Sequence, residues 1–276
     1  MTGANETRVP GGTIKAGEVN LYHQVQGDGP ALFLIMGLGI DHSGWGHLVP
    51  TLCQSYECIS YDHRGTGRSD APPGPYTISQ LADDAAALLD VLDLGPVHVC
   101  GASLGGAIGM RLAAERPDLV RTLALHSTMQ KTDGLLAAIM GFRRPILEAL
   151  GPAALRRYIE FWTFTSDHWA TGEGGDRFED LYETAHDDVH LDTWLAHLEA
   201  AIAHDCESDL ERISAPTLVV VGDEDILTPL RFARVMAATI PDARLHVLEH
   251  AAHGYFFETP QRFLDLQLEF LANAPR

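Results

Sequence analysis

Pro96-Val-His-Val-Cys-Gly-Ala-Ser-Leu-Gly-Gly106 is the stretch on which the reading of this chain turns. Pro96 to Cys100 reads as a short strand, and the residues from Ser103 to Glu115 read as a helix that starts at once after it. Joining the two so abruptly needs a sharp turn, and Gly101-x-Ser103-x-Gly105 supplies small neighbours where the backbone is crowded. Such a turn lifts a serine oxygen clear of the sheet. The free amides and positive dipole end of the helix then face whatever anion forms beside it. Ser103 is therefore the candidate nucleophile. A nucleotide-binding turn is the weaker rival, since no Gly-x-Gly-x-x-Gly follows the strand and no Lys-Ser or Lys-Thr pair stands in the turn.

Working outward, Gly11 to Val25 reads as an N-terminal hairpin. Ala31 to Met36 is a continuous apolar run, the mark of a central parallel strand covered on both faces. Glu57 to Tyr61, Arg121 to His126, Pro216 to Val221 and Arg244 to Leu248 read as further strands. Thr77 to Leu92 is a helix whose apolar residues share one face, with Thr77 and Gln80 as a capping box and Tyr76 able to staple onto Leu81. A last helix begins with Thr259 as N-cap and Pro260 at its first position. Strand and helix alternate, which predicts a parallel sheet with helices on both faces.

One connection breaks that rhythm. About ninety residues separate His126 from Pro216, where a simple crossover needs a dozen or so. Three of the four tryptophans, Trp162, Trp169 and Trp194, lie there, together with a helical stretch from Asp192 to His204. The expected organisation is an α/β core of residues 1–126 and 213–276 and an inserted helical cap of residues 127–212, with Gly172 to Gly175 as a flexible joint.

The 276 residues suit one such domain, and 46% hydrophobic with 21% charged residues is ordinary for a chain that buries a core. A formal net charge of −19 repels phosphate backbones, so nucleic acid is an improbable partner. Met1 to Pro10 has no apolar stretch of the secretory kind, and no run is long enough to span a bilayer. Cys53, Cys58, Cys100 and Cys206 form no Cys-x-x-Cys pair. A cytoplasmic protein with reduced thiols, no membrane partner, and a monomeric or homodimeric state is expected.

Beyond single motifs, the chain resembles the α/β-hydrolase superfamily over nearly its full length. The resemblance is carried by Gly37-Leu-Gly39, Asp62-His-Arg-Gly-Thr-Gly-Arg-Ser69, Gly101-Ala-Ser-Leu-Gly-Gly106, Gly222-Asp-Glu-Asp225 and His253. It implies that fold: a mostly parallel eight-stranded sheet, helices on both faces and an inserted helical cap. The stretch from Tyr61 through Pro72-Pro-Gly-Pro75 to Met129 is similar to 3-oxoadipate enol-lactonases. Met36-Gly37, where His-Gly is common, is similar to aclacinomycin-type methylesterases, and Phe161 to Trp169 is similar to aminoacrylate hydrolases.

The resemblance also implies the remaining machinery. His253, in the loop before the last helix, matches the family's general base, with His250 as a rival three residues earlier. Asp225, third after Gly222, matches the acid that orients the base, and Asp223 reads as a turn residue. The amides of Leu38 and Leu104 match the oxyanion donors. The segment Asp62 to Ser69 is expected to be structural, tied by Asp62 and Arg64, with His63 near the pocket.

Met36, His126, Trp162, Phe164 and Trp169 are candidate substrate contacts. Arg143-Arg144 and Arg156-Arg157 could bind a carboxylate, though exposed helix charges are the default. His186 and His190 have metal-ligand spacing but no evident third ligand, so neither a metal nor another cofactor is expected. The leading reading is a serine hydrolase that cleaves a small to medium, largely apolar ester or lactone. Acyl transfer, elimination or ring closure with the same triad is the alternative, and a non-catalytic ligand-binding member of the fold is the alternative of another class.

Overall fold

The computed structural model describes residues 11–170 and 191–274. Eight strands form one sheet in the order β1-β2-β4-β3-β5-β6-β7-β8. The hairpin is present: β1 (Gly12–Ala16) pairs antiparallel with β2 (Val19–Gln26) around Gly17 at φ +58°. β2 pairs antiparallel with β4 (Glu57–Tyr61), and every later pairing is parallel. Those pairings join β3 (Ala31–Ile35), β5 (Val97–Ala102), β6 (Val120–His126), β7 (Thr217–Gly222) and β8 (Ala243–Leu248).

The helices, in chain order, are α1 (Val49–Leu52), α2 (Ile78–Val91), α3 (Leu104–Glu115), α4 (Gly134–Gly141), α5 (Arg143–Thr163) and α6 (Ser166–Ala170). They continue with α7 (Leu191–Ile202), α8 (Leu230–Thr239), α9 (Tyr255–Glu258) and α10 (Pro260–Ala272). Period-two alternation splits the core along each strand. Phe33, Ile35, Val99, Leu123 and Leu125 pack towards α2, α3 and α8. Leu32, Leu34, Cys100, Ala124 and Val220 pack towards α1 and α10. Each large side chain so removed from water contributes roughly 1.5–3 kcal/mol, which is why the strands read as unbroken apolar runs.

Local signals are realised unevenly. The Thr77 hydroxyl accepts from Gln80 N at 3.1 Å and caps α2 as expected. Thr259 does not cap α10. Its hydroxyl donates back to Tyr255 O at 3.0 Å, and the fixed φ of Pro260 starts the helix instead. α5, which the sequence did not announce, is broken at Gly151 (φ +81°) ahead of Pro152.

The Asp62–Ser69 loop is a hydrogen-bonded knot. Asp62 accepts from His42 N at 2.8 Å, His42 Nδ1 at 2.6 Å and Arg68 N at 2.9 Å. Arg64 forks onto Asp84 of α2 at 2.5 and 2.6 Å. Asp41, His42 and Asp62 come close enough to hold a cation, yet their atoms are already engaged by this loop and by Ser43. No described helix is long and apolar enough to cross a membrane. Met1–Pro10, the Gly172–Gly175 joint and the His186/His190 pair lie outside the described residues.

Candidate active site

β5 runs two residues further than expected, to Ala102, and α3 begins at Leu104. Ser103 alone makes the turn, at φ 53°, ψ −119°, a conformation that favours glycine. The surrounding bonds hold it there. Ser103 N donates to His126 O at 2.9 Å, and Ser103 O accepts from Gly106 N at 2.9 Å and from the Thr128 hydroxyl at 2.6 Å. A Cβ at Gly105 would strike Ile35 O, and one at Gly101 would strike the Gly105 backbone, so both glycines are required by close approach.

The loop after β3 passes directly over this turn. A Cβ on Gly37 would come within 3.3 Å of Ser103 Cβ. His63 donates from Nε2 to Met36 O at 3.0 Å and so braces that loop from below. Among the described hydrogen bonds, the amides of Leu38 and Leu104 have no protein acceptor. Leu38, Leu104 and Ser103 line one cavity, so two open donors sit in the wall that holds the serine.

The acid and the histidine come from adjacent strand ends. After β7, Asp225 accepts from Leu227 N at 3.0 Å and Thr228 N at 2.7 Å. After β8, His253 presents Nδ1 to Asp225 Oδ2 at 3.1 Å. The two turns are stitched together: Glu224 N donates to Ala251 O at 3.0 Å, Ala251 N to the Asp223 carboxylate at 3.4 Å, and a Cβ on Gly222 would strike Ala251 O. Asp223 thus serves the neighbouring loop, not its own turn. His250, the rival base, is 84% exposed and lies 3.6 Å from Glu224.

Burial opposes ionisation of Asp225. The charge of His253 and the hydrogen bonds from His253 and Thr228 outweigh it and hold the carboxyl below its ordinary range. An ionised Asp225 can only accept, so His253 carries its hydrogen on Nδ1. Nε2 is left for the cavity that His253 lines with Ser103. Among the described residues no hydrogen bond joins Ser103 Oγ to His253 Nε2, a contact that apo sites often complete only with substrate in place.

The cavity, together with its opening to solvent, is a slot of about 690 Å³. Met36 lines it. Trp162, Phe164 and Trp169 are absent from its lining. Trp162 stands among Tyr158 and Phe161, Trp169 lies under the Arg157 guanidinium, and Phe164 stacks on His168 at 4.4 Å. The wall on that side comes from Met140, Ile159, Thr163 and Ala201, with Arg143, which is buried where an exposed charge was the default expectation.

His126 also needs correcting as a substrate contact. Strand alternation turns its ring to the α10 face, where Tyr255 Oη lies at 2.5 Å and Gln267 at 3.0 Å. Burial, partly offset by the Gln267 bond, lowers its pKa to about 4. Thr228 was missed altogether. Its signal was its place three residues after Asp225, where aspartate commonly accepts backbone amides in a turn.

The sequence profile of the alpha/beta hydrolase fold matches residues 30–260. The chain is 32% identical over 254 residues to the "Putative carbamate hydrolase RutD" of Azorhizobium caulinodans, covering 92% of this chain and 96% of that one. It superposes on the enol-lactonase from Burkholderia xenovorans LB400 with a TM-score of 0.85 and 28% identity, covering 95% of this chain and 100% of that one. A thermophilic esterase from Thermogutta terrifontis gives a TM-score of 0.82 at 25% identity, with 96% and 98% covered. The chain belongs to the alpha/beta hydrolase fold family, and it is a hydrolytic enzyme.

Proposed function

We propose that this hydrolase cleaves a carboxylic ester or lactone of a small to medium, largely apolar substrate through an acyl-serine intermediate. The observation that carries the reading is the strained Ser103 turn in a cavity wall shared with His253 and two amides without protein acceptors. Ser103 Oγ attacks the carbonyl carbon while His253 Nε2 takes its proton. Asp225 holds the resulting imidazolium without taking a proton itself. The carbonyl oxygen, now anionic, is met by the Leu38 and Leu104 amides. His253 then protonates the leaving alkoxide, and the acyl group stays on Ser103 Oγ. Water, deprotonated by His253, attacks next and releases the acid.

The described helices of the 127–212 insertion act as a cap over the slot, and Met129, Met140 and Ile159 give it an apolar lining. A second reading follows from the name of the curated relatives, in which the transferred group is a carbamoyl. The attacked carbonyl and the residues that serve it are unchanged.

The test is a burst experiment with an activated ester, read by intact-protein mass. A transient increment on Ser103 during the burst, and its loss in Ser103→Ala with a fall in rate of several orders of magnitude, is the expected result. Turnover that survives in Ser103→Ala removes the mechanism. The mass of the increment from a carbamate against that from an ester separates the two readings.

A further inference from the structure

The turn that carries Asp225 brings a hydroxyl into the same knot. Thr228 is 1% exposed and lines the cavity beside His253. Its Oγ1 lies 2.7 Å from Asp225 Oδ2 and 3.0 Å from His253 Nδ1. The hydroxyl has a single hydrogen to give. If that hydrogen went to a bare Nδ1, Asp225 Oδ2 would be buried with no donor from either neighbour, which is the expensive arrangement. With the hydrogen on Asp225, the hydroxyl oxygen turns a lone pair to Nδ1. That contact is satisfied only when Nδ1 carries a hydrogen of its own.

We propose that Thr228 is a positioning residue: together with Asp225 it brackets the Nδ1–H of His253, fixes the tautomer with a bare Nε2 and restrains the ring from turning. Two acceptors, at 3.1 Å and 3.0 Å, share one N–H, so neither holds the ring alone. The hydroxyl is itself fixed, because the Thr228 amide is anchored on Asp225 Oδ1 at 2.7 Å. When the ring becomes imidazolium, the hydroxyl oxygen and the carboxylate both lie against the side that carries Nδ1. This inference rests on the acyl-serine reading.

The experiment compares Thr228→Val, which keeps the shape and removes the hydroxyl, with Thr228→Ser, which keeps the hydroxyl and removes the methyl. Both are assayed with p-nitrophenyl acetate beside wild type and Ser103→Ala, with a melting curve for each. The expected result is a loss of about tenfold in kcat and in kcat/KM together for the valine variant, the scale of one neutral hydrogen bond. KM should stay within about twofold, and the serine variant should fall within about threefold of wild type.

Full kcat in the valine variant, a loss confined to KM, or a serine variant as impaired as the valine one overturns the proposal; the last outcome would assign the residue to packing. If the valine variant does not fold, Thr228→Ala against Thr228→Ser makes the same comparison. Activity that persists in Ser103→Ala sinks the acyl-serine reading itself. An inactive Ser103→Ala beside a fully active valine variant sinks only the role of Thr228.

Discussion

The strand ends and the helices between β6 and β7 are built on different rules. At the ends of β5, β7 and β8, backbone groups are tied to neighbouring loops, and Gly101, Gly105 and Gly222 sit where a Cβ would strike a carbonyl. Among the helices α4 to α6, Gly134, Gly141 and Gly151 have no neighbour that a Cβ would meet within 4 Å, and Leu135, Phe142, Leu150 and Phe161 are exposed. The first region has almost no freedom to vary without losing its geometry. The second can change length and composition while the sheet beneath it stands. On the proposed function, the chemistry lies in the tightly packed part and the choice of substrate in the loosely packed one.

The sharpest way to break the contrast is to disturb the strand-end chemistry without disturbing its shape. Asp225→Asn, an isosteric change, is expected to lower kcat by about four orders of magnitude while the melting temperature shifts little, measured with an activated ester. A loss under about tenfold would show that the acid turn is scaffolding only.

Acid should probe both regions at once. Burial lowers His126, on β6, to about 4, and His197, on α7, to about 3, in the latter case with the charges of His63 and Arg64 adding to the effect. In the unfolded chain these rings take up protons near 6.5, so between about pH 6.5 and 4 the unfolded state binds more protons. Their stabilising contribution is whole above that window and declines as pH falls through it. Melting curves taken from pH 7.5 down to 5 should show a steady drop; a flat profile would contradict the burial of both rings.

The smallest effect is a matched pair of glycine changes. Gly105→Ala drives a methyl against Ile35 O and should cost about 1–3 kcal/mol or more in urea unfolding. Gly134→Ala, at the open start of α4, should be neutral or stabilise by up to about 1 kcal/mol. Equal costs would mean that the helical segment is packed as tightly as the sheet.

The same contrast explains what could be read without coordinates. The hairpin was legible from its alternation and its turn glycine, and the central parallel strands and the helix after Ser103 because burial on both faces and close backbone approach mark their residues. The cap aromatics were misread because an aromatic ring looks the same in sequence whether it lines a slot or packs against neighbouring helical residues. His126 was misplaced by a single alternation, since its side chain takes the opposite face of β6. Arg143 and Arg144 are neighbours in sequence, yet one is buried in the cavity wall and the other pairs with Glu199 at the surface. That distinction depends on where α5 lies against α7, which no local pattern records. Thr228 escaped because its importance lies in two partners, one three residues away and the other 25 residues away.

Ser103 occupies a backbone region that charges every side chain except glycine a toll of about 1–3 kcal/mol. A lineage screened for heat tolerance alone would drift towards glycine at position 103, gaining robustness as it went silent. On the proposed mechanism, the hydroxyl on that uncomfortable corner trades stability for turnover, and the trade is legible in a single torsion angle.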